Sequence, residues 1–319
     1  MPRWCLIESD PAVFTELVER FGTRGVAVEE LIALEPDALR GHTAVYGLIL
    51  LFRWAPQMKS QQEQESQSQQ QTSDGAVVPD APVYFAQQTV NNACATLALI
   101  NTLLNYSDRI DLGDTLSNFL SFTREMNPYL RGTQVGHCEV LRDAHNSFAP
   151  ACIFELDAEK PDASDVYHFV SFIYKNGAIW ELDGLQEGPI LAGDATDENY
   201  KEKLIEVVQK RIIDKSAADQ SRTGRGISFS LMAVVDDRLL QLEKEIKEAK
   251  EREAPTMYLE EQLEQLRAQR EKGRVENQRR RHNYVGMIVE LLRALAEKGK
   301  LKDIIDEVVS KKQAAANSN

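Results

Sequence analysis

Paired cysteines are missing from this 319-residue chain. Cys5, Cys94, Cys138 and Cys152 are scattered. That argues against a disulfide framework or a zinc site, and for a reducing compartment. The start, Met1-Pro2-Arg3-Trp4-Cys5-Leu6-Ile7-Glu8, lacks a signal-peptide core. The longest apolar run, Ala44 to Phe52, falls far short of the roughly 20 residues a spanning helix needs. Gly224 and Gly226 match no phosphate loop, because no helical pattern follows them, and read as a turn. The expectation is a soluble, intracellular protein.

Basic charge is also scarce, and unevenly so. The net charge is −13. Residues 236–319 carry 18 basic and 17 acidic side chains, whereas residues 1–235 carry 19 basic and 33 acidic. An acidic body repels nucleic acid and attracts basic partners. Composition therefore divides the chain into an acidic part, 1–235, with a hydrophobic core, and a helical extension, 236–319. Residues 57–76 change character, and the Gln-rich insert at 59–76 has nothing to bury and reads as a disordered loop.

Helix and strand signals punctuate the first part. Ser9-Asp10-Pro11 is a helix start and Gly22 a stop. A second helix is expected over Val28 to Leu34, and a buried strand over Val45 to Phe52. Leu112 to Arg124 and Val135 to Asn146 read as helices. A polar, proline-broken loop covers about 146–166. A helix follows over Asp197 to Lys215, then a strand over Ile227 to Val235. From Asp236 the apolar positions keep helical or coiled-coil-like spacing, broken at Pro255 and Gly273, with mixed charge elsewhere. Tyr284, Ile288, Leu291, Leu292 and Leu295 make a strong apolar stripe. The triplet Arg279-Arg280-Arg281 suits nucleic acid or nuclear import, but equal acid density favours docking on a protein.

The stretch Phe85 to Thr96 carries the chemistry. It leads into the apolar run Leu97 to Leu104, which reads as a buried helix with Asn91 and Asn92 as candidate caps. Cys94 then lies in the first turn, where unpaired amides and the helix dipole favour thiolate over thiol. Gln88, six residues upstream, is placed to point its amide at an oxygen bound above Cys94. On this stretch alone Cys94 is either a nucleophile or a small buried core residue.

A hairpin supplies the partner. Asn176-Gly177 separates the strand-like runs Tyr167 to Tyr174 and Ala178 to Asp183. A two-residue turn there pairs Lys175 with Ala178, so His168 and Asp183 become diagonal neighbours on one face, within imidazole-to-carboxylate reach. Phe169, Ile173, Trp180 and Leu182 take the other face and pack inward. His42, His137, His145 and His282 offer no competing triad.

With Gln88, Cys94, His168 and Asp183 in this order, the chain resembles the ubiquitin carboxyl-terminal hydrolases, cysteine deubiquitinases. Trp4 to Pro11 resembles that family's opening, Asn91-Asn92-Ala93-Cys94-Ala95-Thr96 its nucleophile motif, and His168-Phe169-Val170-Ser171 and Glu181-Leu182-Asp183-Gly184-Leu185 its His and Asp motifs. Arg280 to Tyr284 and Glu290-Leu291-Leu292 resemble the branch whose tail docks on the proteasome. The resemblance implies an α/β fold: a mostly antiparallel central sheet flanked by helices, papain-like and knotted, followed by an all-α extension. It implies Cys94 as nucleophile, His168 as general base and acid, Asp183 as the group orienting His168, and Gln88 in the oxyanion hole, with no metal or cofactor. It implies a loop at about 146–166 crossing the active site. The implied partners are ubiquitin, a proteasomal ubiquitin receptor and, in the nucleus, a chromatin-remodelling subunit, with no nucleic acid or membrane. The implied location is cytoplasmic and nuclear. The alternative is a non-catalytic ubiquitin-binding adaptor acting through its tail.

Overall fold

The sheet is built around Val45–Trp54 (β2), ten residues with few polar side chains. Leu48, Leu50 and Phe52 face one side and Ile49 the other, all nearly inaccessible to solvent. A strand apolar on both faces has to lie mid-sheet with a layer on each side. The computed structural model, which describes residues 3–54, 76–149, 166–223 and 229–316, has that arrangement. In chain order its elements are α1 (Pro11–Arg20), β1 (Val26–Glu30), β2, α2 (Cys94–Leu103), α3 (Gly113–Thr123), α4 (Pro128–His137) and α5 (Glu139–Asn146). Then come β3 (Val166–Lys175), β4 (Ala178–Leu182), β5 (Ile190–Asp194), α6 (Tyr200–Thr223), β6 (Phe229–Asp236), α7 (Arg238–Glu251), α8 (Met257–Arg281), α9 (Val285–Glu297) and α10 (Leu301–Ala316). Six strands run in the order β1-β6-β2-β3-β4-β5, every adjacent pair antiparallel.

Two cores clothe this sheet. The α1–α5 side buries Phe14, Leu17, Leu99, Ile100 and Leu103 against Ile49, Phe169, Ile173 and Trp180. The other side buries Leu204, Ile205, Val208 and Ile212 of α6 against Leu50, Val170, Phe172 and Ile179. The β3–β4 hairpin therefore packs through both faces, not only the one carrying Phe169, Ile173, Trp180 and Leu182.

Several local expectations need correcting. The stretch Val28 to Leu34 is not a helix; Val26–Glu30 pairs with β6 as the edge strand β1. Its helical-looking Ile32 is 96% exposed, while Val26, Ala27 and Val28 are buried as a strand against α1. The helix expected over Val135 to Asn146 is two, because Cys138 takes an extended ψ of 106° between them. Neither Asn91 nor Asn92 caps α2: Ala93 occupies that position without a side-chain hydrogen bond. Asn92 instead adopts a left-handed φ of 64° and donates its Nδ2 to Trp4 O at 3.1 Å. The Gln-rich insert over its residues 59–75, residues 150–165 of the loop at 146–166, and Gly224 and Gly226 lie outside the described residues.

Gly273 does not interrupt the extension. It lies within α8, where a Cβ would stand 2.7 Å from Ala12 Cβ of α1. The glycine lets the two helices close up. The α7–α8 hairpin is held by Leu242, Ile246 and Leu263, and by Arg267 on Glu243. The arginine triplet has an intramolecular use. Arg280 bridges Glu8 and Asp10 at 2.7 Å each, and Arg281 bridges Glu16 at 2.7 Å. Arg270 grips the α7 cap residue Asp237 at 2.7 Å. Replacing Gly273 with valine should force α8 off α1 and cost about 1–3 kcal/mol of stability, read as a lowered unfolding midpoint in urea.

Candidate active site

The site is assembled where the β3 end of the hairpin meets the start of α2. The register is as the turn dictates: Lys175 pairs with Ala178 and Ser171 with Leu182, around Asn176 and Gly177, both with positive φ. β4 stops at Leu182, so Asp183 leaves the ladder beside His168. His168 Nε2 and Asp183 Oδ1 are 2.7 Å apart. The same Oδ1 accepts the Leu185 amide at 2.9 Å, which stops the carboxylate from turning away. Both residues are buried, at 4% and 5% exposure. With Nε2 committed to Asp183, Nδ1 is the ring nitrogen left for a second partner. The Cys94 thiol lies near enough to the ring to favour its protonated form.

The electrostatics follow from these contacts. Burial disfavours the imidazolium, but hydrogen bonds to Asp183 and Cys94 outweigh it and raise the His168 pKa to about 9. Burial likewise works against the Asp183 carboxylate, while His168 and the Leu185 amide hold its pKa below the usual range.

Cys94 is the first residue of α2, a helix buried along its whole length. Its first-turn amides have no intrahelical acceptor and point toward the sulfur's side. Two ties hold this tip to the N-terminal segment: the Asn92–Trp4 bond, and His145, whose Nδ1 meets Thr96 Oγ1 at 2.8 Å and whose Nε2 meets Cys5 O at 2.7 Å. Burial pushes the His145 pKa down, so this ring serves as a neutral brace. The sequence offered no signal for that role, because both of its partners are distant in the chain.

Gln88 enters through its backbone. Its amide donates to Gly184 O at 2.8 Å, joining it to the residue after Asp183. A Cβ on Gly184 would lie 2.5 Å from Leu97 Cδ2 and 3.2 Å from Gln88 Cβ, so this glycine lets Gln88 and the first turn of α2 approach each other. Gln88 Oε1 is buried without a hydrogen-bond partner. Gly132 of α4 backs the loop, where a Cβ would overlap the Gln87 carbonyl. The structure thus brings Cys94 to the hydrogen-bonded His168–Asp183 pair and places Gln88 on the same loop junction. The other histidines lie elsewhere: His137 and His282 are exposed, and His42 is near Glu29. Among the described residues no cluster of three His, Cys, Asp or Glu side chains is placed to hold a metal ion, and no helix is long and apolar enough to cross a membrane.

A thiol, an imidazole and a carboxylate in series, with the thiol at a helix N-terminus, define a cysteine hydrolase. Comparison with known proteins narrows that class. Residues 4–213 match the family described as ubiquitin carboxyl-terminal hydrolase, family 1, and residues 258–301 match a second model, ubiquitin carboxyl-terminal hydrolases. Ubiquitin carboxyl-terminal hydrolase 2 of Schizosaccharomyces pombe is 39% identical over 95% of this chain and 93% of its own length. Ubiquitin carboxyl-terminal hydrolase isozyme L5 of Dictyostelium discoideum is 33% identical over 97% of each. A crystal structure of Trichinella spiralis UCH37 bound to ubiquitin vinyl methyl ester superposes with a TM-score of 0.66 at 31% identity, covering 85% of this chain and 99% of that one. The chain belongs to the ubiquitin carboxyl-terminal hydrolases and is a cysteine-type deubiquitinating enzyme.

The His168–Asp183 pair makes stability pH-dependent. A histidine whose folded pKa is raised stabilises the fold fully below its unfolded value of 6.5 and loses that contribution as pH climbs through about 9. Urea midpoints of wild type should therefore fall toward those of His168→Ala across this alkaline window.

Proposed function

We propose that Cys94 is the nucleophile, His168 the general base and acid, Asp183 the residue that orients His168, and Gln88 a donor to the oxyanion. The buried His168–Asp183 hydrogen bond, with Cys94 near enough at the start of α2 to raise the His168 pKa, is the observation that carries this assignment. The substrate is ubiquitin joined through its C-terminal glycine to an amine or alcohol. The Trichinella relative supports ubiquitin as the bound partner, having been crystallised with a ubiquitin vinyl methyl ester.

The chemistry runs as follows. Cys94 Sγ attacks the glycine carbonyl carbon as His168 accepts the thiol proton. The carbonyl oxygen becomes an oxyanion, stabilised by the Gln88 amide and the Cys94 backbone N–H. As the tetrahedral centre collapses, His168 protonates the leaving amine or alcohol and a thioester remains. His168 then deprotonates a water that attacks the thioester. Ubiquitin leaves as a free carboxylate and the thiol is restored. Asp183 keeps the imidazole oriented and stabilises its cation in both half-reactions.

The extension is the docking element for a proteasomal ubiquitin receptor, and in the nucleus for a chromatin-remodelling subunit; the protein accordingly works in cytoplasm and nucleus. Support lies in the division of labour within residues 236–316. α7 and α8 pack Leu242, Ile246 and Leu263 against each other, and α8 turns Arg274 and Arg281 onto α1. α9 has no buried residue, and it exposes Met287, Ile288, Leu291 and Leu292, with Ile304, Ile305, Val308 and Val309 on α10. An apolar face of that extent marks an interaction site.

Cleavage of a ubiquitin C-terminal fluorogenic substrate should be abolished in Cys94→Ala, and Gln88→Ala should lower kcat by about 10²- to 10³-fold. Near-wild-type turnover in Cys94→Ala would refute the assignment. Binding of ubiquitin without labelling by an electrophilic ubiquitin probe would point to the non-catalytic adaptor instead. Because α8 is part of the fold, the informative truncation removes residues 285–319 only. That variant should keep fluorogenic turnover and fail to co-purify with proteasomes.

A further inference from the structure

Behind the triad, on the face of the sheet covered by α6, lies a second set of buried charges. Glu181 and Asp183 alternate on the strand and its exit, so they share one face, roughly 7 Å apart along the chain. Two carboxylates that close in a buried setting oppose each other's ionisation. The helix above answers them. The face of α6 that buries Leu204, Val208 and Ile212 turns basic at its next positions, Arg211 and Lys215, one helical turn apart. Arg211 Nη2 meets Glu181 Oε1 at 2.6 Å, the carboxylate buried and the guanidinium partly so. Lys215 Nζ stands 5.0 Å over the Phe52 ring, and the edge of Phe52 in turn meets the His168 ring, centroids 6.0 Å apart at 88°.

We infer that Lys215 and Arg211 are positioning residues for the triad. Arg211 engages Glu181 so that it does not compete with Asp183 for His168. Lys215 braces His168 through Phe52 and supplies a positive field at Asp183. The electrostatic pattern agrees: burial and Arg211 push the Lys215 pKa down, while Asp183 and Glu181 pull it up. Burial pushes the Glu181 carboxyl up against the pull of Arg211. The groups facing His168 and Asp183 are Cys94 from α2, Glu181 from β4, Lys215 from α6 and uncharged Phe52 from β2, with Arg211 of α6 engaged on Glu181. The set never touches substrate; it acts through the ring and the carboxylate.

This inference rests on the catalytic roles proposed above, and its test separates the two. The pH dependence of kcat/KM on the fluorogenic ubiquitin substrate is measured for wild type, Lys215→Met and Lys215→Arg, with Cys94→Ala as control. Removing a cation favours the imidazolium, so the alkaline limb of Lys215→Met should move up by roughly half to one pH unit, and Lys215→Arg should restore it. A Lys215 that only fills space would lower kcat/KM equally at every pH. A Lys215→Met profile that overlays wild type, or is merely scaled down, overturns the positioning role and leaves the triad assignment standing. Activity surviving in Cys94→Ala would bring down the triad assignment itself.

Discussion

One hydrogen bond, 2.7 Å between His168 Nε2 and Asp183 Oδ1, organises the catalytic end of this molecule. It exists because the Asn176-Gly177 turn sets the pairing of β3 and β4, and because β4 stops one residue before Asp183. A slip of one residue would send the carboxylate to the opposite face. The two apolar cores on either side of the hairpin forbid that slip, since every displaced side chain would have to exchange layers. Catalytic alignment is thus inherited from packing that serves the whole sheet.

The thiol is brought to this pair by independent means. α2 is buried end to end, so its axis is set by Leu97, Leu99, Ile100 and Leu103 against the sheet. Its tip is then fastened to the N-terminal segment through Asn92, Thr96 and neutral His145, and to the Asp183 loop through the close packing of Gly184. Four chain segments converge on a space a few ångströms across. The polar ties are buried or partly so, where an unmade hydrogen bond is costly, and that holds the converging segments in register.

Charge asymmetry along the chain has a structural counterpart. The acidic surplus of the first 235 residues includes Glu8, Asp10, Glu16 and Glu19 on and before α1, and α8 lays Arg274, Arg280 and Arg281 across them. Burial opposes the Glu16 carboxylate, yet Arg281, Asn277 and Arg20 hold its pKa below the ordinary value. Arg280 and Arg281 are spent within the molecule, while α9 and α10 leave an apolar stripe exposed.

Much of this was legible in residue order. The Asp10 cap with Pro11, the apolar run of β2, the hairpin register and the placing of Cys94 in a first turn all follow from local periodicity and turn chemistry, which act over a few residues. Val26–Glu30 misled because an edge strand's burial is decided by β6, some 200 residues away. Gly273 misled because a glycine that breaks a solvated helix is also one that admits a neighbouring helix. His145, Arg211 and Lys215 gave no signal, since each acquires its role from a partner that only folding brings near. By itself the sequence determined which groups are candidates for the chemistry and which segments hold them, because spacing dictates facing. Only the tertiary structure decided which of those groups meet, because contact between distant segments depends on how both faces of one sheet are filled.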